Sequence, residues 1–165
     1  SEVENKSGSE CGCPGAMAMS FGTEENKDND ADTKPLDVRS ELRQWPVQMH
    51  LINPAASYFR NADLVFAADC VAFALGDFHQ KYLKGKSLTI ACPKLDSNID
   101  VYIEKIQKLI DEAEVNTITV MMMEVPCCGG LLQMVKTAAG KAQRKVPVKA
   151  VIVGIQGDIL SEEWI

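Results

Sequence analysis

The stretch LVFAADCVAFALGDFHQKYL, residues 64–83, indicates the fold class most clearly because its hydrophobic period changes in the middle. Its first five residues, 64–68, are continuously apolar, which is typical of a parallel strand buried on both faces. From residue 71 onward, apolar residues recur at intervals of three and four, which predicts one apolar face of a helix over 71–83. These residues are Ala72, Leu75, Phe78 and Tyr82. A strand that leads directly into a helix is half of a βαβ unit.

The same alternation continues on both sides of this stretch. Residues 47–52 predict a preceding strand, ended by Asn53-Pro54. After the stretch, predicted strands cover 87–91, 116–123 and 148–153, and predicted helices cover 98–113 and 130–143. Short connections between such elements predict parallel βαβ units, with right-handed crossovers that place helices on both faces. The sequence therefore predicts an α/β fold with a doubly wound, mostly parallel sheet of about five strands. This architecture resembles the flavodoxin or Rossmann class, and the sequence leaves its strand order open.

The net charge of the chain lies entirely at its N-terminal end. Residues 1–41 contain ten acids and four bases and so carry the whole net charge of −6, whereas residues 42–165 are balanced. Within the acidic part, polar segments flank an island of turn residues, CGCPG (11–15), and a short apolar patch. We therefore divide the chain into an acidic extension with a Cys-x-Cys knuckle, residues 1–41, and an α/β domain, residues 42–165.

Charge and hydropathy exclude several classes of function. An acidic chain repels nucleic acid and anionic membranes, so we expect neither as a partner. No apolar run approaches the roughly 20 residues of a membrane helix, and residues 1–10 do not resemble a signal peptide, so we expect a cytoplasmic location. Because the chain begins at Ser1, we expect it to be processed or a piece of something longer. The glycines at 154 and 157 do not match a nucleotide-binding fingerprint, so we expect no nucleotide cofactor.

Four of the six cysteines directly follow predicted strands. Cys70 follows strand 64–68, Cys92 follows strand 87–91, and Cys127 and Cys128 follow strand 116–123. The carboxyl ends of parallel strands meet at one edge of the sheet, where open α/β folds bind ligands. A single cysteine is most often a small buried hydrophobic residue. Four cysteines at one edge instead predict a shared site.

The chemistry of clustered thiols favours a metal centre at this edge. Sites built only from thiolates select zinc, Cu(I) or iron–sulfur clusters. The paired spacing of zinc sites and the ferredoxin run of cysteines are both absent, so single ligands from several loops must combine. We expect an iron–sulfur cluster, [4Fe-4S], with zinc as the alternative and a disulfide framework as the least favoured interpretation. The first expected ligands are Cys13, Cys70, Cys127 and Cys128, followed by Cys92 and Cys11.

Five stretches together resemble the C-terminal domain of 4Fe-4S ferredoxin-like, iron–sulfur cluster-binding proteins of anaerobes. They are CGCPG (11–15), ELRQWPVQMHLINP (41–54), ADLVFAADCVAFALGDFH (62–79), ACPKLD (91–96) and MEVPCCGGL (123–131). The resemblance implies cluster binding and electron transfer. It also implies a redox protein partner or a preceding ferredoxin module, whose two CxxCxxC runs are not part of this sequence.

Two alternatives stay open. Cys92 precedes Cys127-Cys128-Gly129 by 35 residues, which resembles the CCG domain of heterodisulfide reductase-type subunits, although the later Cys-x-x-Cys of that pattern is missing. This resemblance implies a subunit of a disulfide-type reductase. A structural zinc or thiol-redox module is the other alternative. The sequence assigns no catalytic residue, and its lone histidines, His50 and His79, are more typical of structural roles than of metal ligands.

Overall fold

The main sheet has four parallel strands and one antiparallel edge strand. The computed structural model describes residues 14–21 and 38–165. Its strands are β1 (Met19–Ser20), β2 (Gln44–Trp45), β3 (Asp63–Ala68), β4 (Ser87–Ala91), β5 (Thr117–Met123), β6 (Val148–Val153) and β7 (Ile159–Trp164). The sheet order is β4-β3-β5-β6-β7, with β7 antiparallel to β6, while β1 and β2 form a separate antiparallel pair. Counted along the chain, this is the flavodoxin-like order 2-1-3-4-5.

The helices lie on both faces of this sheet, as the sequence predicts. They are α1 (Val71–Ala74), a π-helical turn (Phe78–Leu83), α2 (Ile99–Asp111) and α3 (Gly129–Lys141). α2 and α3 pack against each other on one face. The connection from β3 to β4 runs in the opposite direction along the sheet, so a right-handed crossover places α1 and the π-helical turn on the other face. The described helices are all too short or too polar to cross a membrane.

The predicted strand at 47–52 is wrong, and β7 takes the place of the fifth strand. Residues 42–49, here called the edge strap, lie along the free edge of β4. The backbone N–H of Ile90 donates to Val47 (2.9 Å), and the N–H of Met49 donates to Ile90 (3.0 Å). The chain then turns, so only a single parallel bridge forms, at Gln48. The apolar signal at 47–52 reflects the burial of Met49 and Ile52 and not strand pairing.

The predicted helix over 71–83 is interrupted. α1 ends at Ala74, Leu75 adopts an extended backbone conformation, and the chain resumes as a π-helical turn at Phe78. Gly76 and Asp77, which are poor helix formers, occupy the break. Leu75 and Phe78 are nevertheless buried, which explains why the apolar spacing resembled one helix.

The core lies on both faces of β3 and β5. Val65 and Phe66 of β3 are 1% exposed or less. Met121, Met122 and Met123 are all buried, as expected for successive residues on opposite faces of an internal strand. These central strands hold the loops at their carboxyl ends in place.

Candidate functional site

The strand order creates a crevice between the carboxyl ends of β3 and β5. The chain leaves β3 toward one face and β5 toward the other, which makes this pair the topological switch point where open α/β sheets bind ligands. Cys70 follows β3, and Cys127 and Cys128 follow β5. Cys70 and Cys127 are exposed and Cys128 is buried, and all three are free thiols. The structure thus brings three of the predicted site residues to one crevice, here called the thiol site.

The other two thiols of the thiol site act electrostatically on Cys128. Burial raises the pKa of the Cys128 thiol above its ordinary value, and the neighbouring Cys127 and Cys70 raise it further. A hydrogen bond with the backbone of Met123 acts in the opposite direction. Because each negative sulfur disfavours a second one beside it, a bound cation would stabilise the fully ionised set.

The loop after β4 lies next to the thiol site. The start of α3 packs closely on this loop, since a Cβ added at Gly130 would lie 2.9 Å from the Pro93 Cβ atom. Cys92 is half-buried, and its backbone N–H donates to Asp96 Oδ2 (3.1 Å). The same oxygen accepts the Tyr102 hydroxyl (2.6 Å). This carboxylate therefore fixes the Cys92 turn beside the other three cysteines.

The remaining predicted ligands are the two cysteines of the N-terminal extension. Cys11 and Cys13 lie outside the described residues. Within residues 14–21 and 38–165, no three His, Cys, Asp or Glu side chains are arranged to hold a metal ion. Metal ligation by the cysteines stays a prediction.

Both histidines make structural contacts. His50 Nε2 lies 2.7 Å from the carbonyl of Ser97, and its ring lies 4.3 Å from that of Tyr102. His79 Nδ1 accepts the backbone N–H of Glu41 (3.0 Å). These contacts agree with the structural roles expected for lone histidines.

Residues 14–21, the described N-terminal segment, pair with the edge strap. The edge strap runs parallel to β4, and β1 runs antiparallel to β2 within that strap. The segment is fixed by Trp45 Nε1, which donates to the carbonyl of Gly15 (2.7 Å). The Pro14 end of the segment is therefore the end nearer the carboxyl edge.

Asp69, which lies between β3 and Cys70, is a further functional candidate. Its backbone N–H donates to Ala91, but its Oδ1 atom is buried without a hydrogen-bond partner among the described residues. Burial raises the pKa of this carboxyl above its ordinary value, and the nearby Asp96 carboxylate raises it further. The only sequence signal was its position between an apolar strand and Cys70.

We expect Asp69→Asn to be more stable than the wild type near neutral pH. The raised pKa means that the folded wild-type protein binds the Asp69 proton more tightly than the unfolded chain does. The stability that this proton contributes to the wild type is complete below the unfolded pKa and is lost as pH rises through the folded pKa. The Asp69 side chain is only partly buried, so screening by solvent limits the gain in the stability of Asp69→Asn to about 1 kcal/mol or less. Urea unfolding from about pH 7 to about pH 4 should show the gap closing toward the acid end. Asp77→Asn is the exposed control; parallel pH profiles for Asp69→Asn and wild type would contradict the prediction.

Comparison with known proteins identifies the fold family of the sheet. A family model described as a Rossmann-like domain matches residues 56–165. A protein from Archaeoglobus fulgidus, described as uncharacterized, is 29% identical over 119 residues, which cover 72% of this chain and 83% of the relative. No solved structure matches the chain. The family match includes the four cysteines at the carboxyl edge and excludes Cys11, Cys13 and the edge strap.

Proposed function

This chain belongs to the Rossmann-like domain family, and we propose that it binds an iron–sulfur cluster, [4Fe-4S], at the carboxyl edge of its sheet and carries electrons. The observation that carries the proposal is the meeting of Cys70, Cys127 and Cys128 at the switch-point crevice. Thiolates are the usual ligands of such clusters, and two of these three thiols are exposed to an incoming metal.

The first strand-to-helix turn favours thiol chemistry over phosphate binding. In nucleotide-binding members of this fold class, that turn is glycine-rich and opens a helix whose N-terminus holds the phosphates. Here the turn presents Asp69 and Cys70, and the helix that follows has only four residues. A carboxyl group at this point opposes an anionic ligand, whereas a neighbouring thiol suits a cationic iron centre.

The complete ligand set extends beyond the three thiols at the crevice. A [4Fe-4S] cluster takes four cysteines. Cys13 is the proposed fourth ligand because it precedes Pro14, which lies at the end of its segment nearer the carboxyl edge. Cys92 and Cys11 follow in order. The exposed Cys70 and Cys127 side chains can adjust by rotation about χ1 when a cluster binds.

The resemblance of five sequence stretches to ferredoxin-like proteins adds the electron-transfer role to this proposal. The partner is then a redox protein or a ferredoxin module, and the location is cytoplasmic, where thiols stay reduced.

Anaerobic reconstitution of the full chain with ferrous iron and sulfide tests the proposal. We expect about four iron and four sulfide ions per chain, with broad blue absorption that dithionite bleaches. A colourless protein that binds stoichiometric zinc and no iron would overturn the cluster and favour the zinc alternative.

A further inference from the structure

Large apolar side chains are exposed around the thiol site. Each of the four parallel strands is followed, within five residues of its end, by one such side chain. They are Phe73 after β3, Leu95 after β4, Val125 after β5 and Ile155 after β6, here called the apolar rim. Phe73 is 93% exposed and Leu95 is 81% exposed. Single exposed apolar residues are common, but a group of them around one site indicates an interaction surface.

The loops that carry the apolar rim contact one another. The loops after β4 and β5 pack together at the start of α3. Glu124 Oε1, after β5, accepts the backbone N–H of Ile155, after β6 (3.4 Å). A Cβ added at Gly157 would lie 2.6 Å from the carbonyl oxygen of Ala74, so the loop after β6 also packs on α1. The apolar rim therefore belongs to one surface, which also carries the exposed thiols of the thiol site.

The opposite, amino edge of the sheet differs in its exposed side chains. The segments that lead into the parallel strands there are residues 57–62, 84–86, 112–116 and 142–147. All four segments belong to the described chain, and none of its large exposed apolar side chains lies in them. The apolar rim is thus a feature of the carboxyl edge and not of the loops in general.

The two edges also differ in charge. The segments that leave the parallel strands at the carboxyl edge are residues 69–77, 92–98, 124–128 and 154–158. They contain five acids and one base, whereas the amino-edge segments contain five bases and two acids. Three of the five acids, Asp77, Glu124 and Asp158, are exposed. An apolar surface with acidic surroundings is complementary to a basic partner that carries an apolar patch, and it attracts such a partner before contact.

We propose that the carboxyl edge docks a basic redox protein, whose apolar patch packs on Phe73 and Leu95 directly beside the thiol site. These two side chains are the most exposed of the apolar rim, so their burial removes the most apolar surface from water. The redox nature of the partner rests on the proposed function, because docking at this edge brings a partner to the exposed thiols. Its basic charge and apolar patch are inferred from the surface alone.

Ferrous cytochrome c is the probe because it is a basic redox protein with lysines around its exposed haem edge. A plant-type ferredoxin, which is acidic, is the control probe. Each probe is isotope-labelled, titrated with the full chain and followed by NMR. We expect saturable shifts for cytochrome c alone, with an affinity that falls about fivefold or more between about 0.01 M and about 0.1 M salt. Absence of cytochrome c binding, or equal binding of ferredoxin, would overturn the proposal.

Variants of the apolar rim decide where cytochrome c binds, since the acidic residues 1–41 also attract it. Phe73→Ala and Leu95→Ala change exposed side chains and should each lower the affinity about fivefold or more while the urea midpoint stays unchanged. Trp164→Ala is the control, because Trp164 is 62% exposed and pairs with Lys149 at the opposite end of β6. An equal loss of affinity in Trp164→Ala and Phe73→Ala would reject the docking surface.

A second pair of variants tests the charge. Glu124→Gln removes one exposed charge at the carboxyl edge but keeps an oxygen that can accept the Ile155 N–H. It should lower the affinity for cytochrome c about twofold at low salt. Glu112→Gln, exposed at the amino edge, should leave the affinity unchanged. Equal effects of the two glutamine variants would reject the part of the charge in docking.

Iron content is measured on the same samples, so that this proposal and the proposed function fail separately. Docking of cytochrome c on a chain that binds no iron would reject the cluster and retain the docking surface. An iron-loaded chain that does not bind cytochrome c would reject the docking surface alone. A dimer of the chain in sedimentation that Phe73→Ala dissociates would assign the surface to a second copy and overturn the proposal.

Discussion

Serine at Cys70, Cys127 or Cys128 is expected to lower the iron bound on reconstitution by about tenfold or more. A serine hydroxyl has nearly the shape of a thiol but does not supply the soft thiolate that iron–sulfur clusters require. Each single substitution should therefore remove a ligand while leaving the surrounding loops in place. Iron and sulfide analysis and the visible spectrum after anaerobic reconstitution measure the loss.

Folding of the same variants must be measured to separate ligation from stability. Cys70 and Cys127 are exposed, so their serine variants should unfold at the wild-type urea concentration. Cys128 is buried, so its serine variant should lose about 1 kcal/mol of stability. Loss of iron in Cys70→Ser and Cys127→Ser with unchanged stability is therefore the decisive pair of observations.

Cys92→Ser is the matched control at the same edge. Cys92 holds its turn through its backbone N–H bond to Asp96, and this bond does not involve the sulfur. We expect Cys92→Ser to retain more iron than any variant of the three thiol-site cysteines, and Cys13→Ser to lose more iron than Cys11→Ser. Wild-type iron content in all three thiol-site variants, or a loss confined to Cys92→Ser, would reject the assigned ligand set.

The local sequence predicted the bounds of the buried strands accurately. The predicted strands at 64–68, 87–91 and 148–153 agree with β3, β4 and β6 to within one residue. The signal is clearest at 64–68, which is continuously apolar because a strand buried on both faces needs apolar side chains throughout. β7 escaped prediction because its segment, ILSEEW, lies at the sheet edge and most of its side chains are exposed. Its position depends on pairing with β6, which no local pattern records.

The candidate site could be predicted in part because the sequence shows where the buried strands end. The positions of the cysteines after strands follow from the strand boundaries alone. Which thiols share a crevice depends on the order β4-β3-β5, because the chain leaves the neighbouring strands β3 and β5 toward opposite faces, which places the crevice between Cys70 and the pair Cys127 and Cys128. The raised pKa of Asp69 also needs tertiary structure, because the Asp96 carboxylate that contributes to it is distant in sequence.

Gln44→Met is expected to destabilise the fold by about 2–6 kcal/mol. The buried Gln44 side chain pairs with the free edge of β4: its Nε2 donates to the carbonyl of Leu88 (2.6 Å), and its Oε1 accepts the Leu88 N–H (3.0 Å). Methionine has a similar size but leaves both backbone groups buried without partners, and each such group costs about 1–3 kcal/mol. Urea denaturation of wild type and variant measures the difference.

Gln48→Met tests whether the loss of stability in Gln44→Met comes from the edge strap in general or from the pairing of Gln44 with Leu88. Gln48 donates to Asp96 and Tyr102, but these two side chains also bond to each other at 2.6 Å and stay paired without it. Gln48 Oε1 also accepts the His50 N–H (2.6 Å), which is exposed and can bond to water instead. We therefore expect Gln48→Met to cost about 1 kcal/mol or less. If apolar burial at positions such as Met49 alone held the edge strap, Gln44→Met would be as mild as Gln48→Met. A large gap between the two variants instead means that the Gln44 amide replaces a missing neighbour strand at the edge of the sheet.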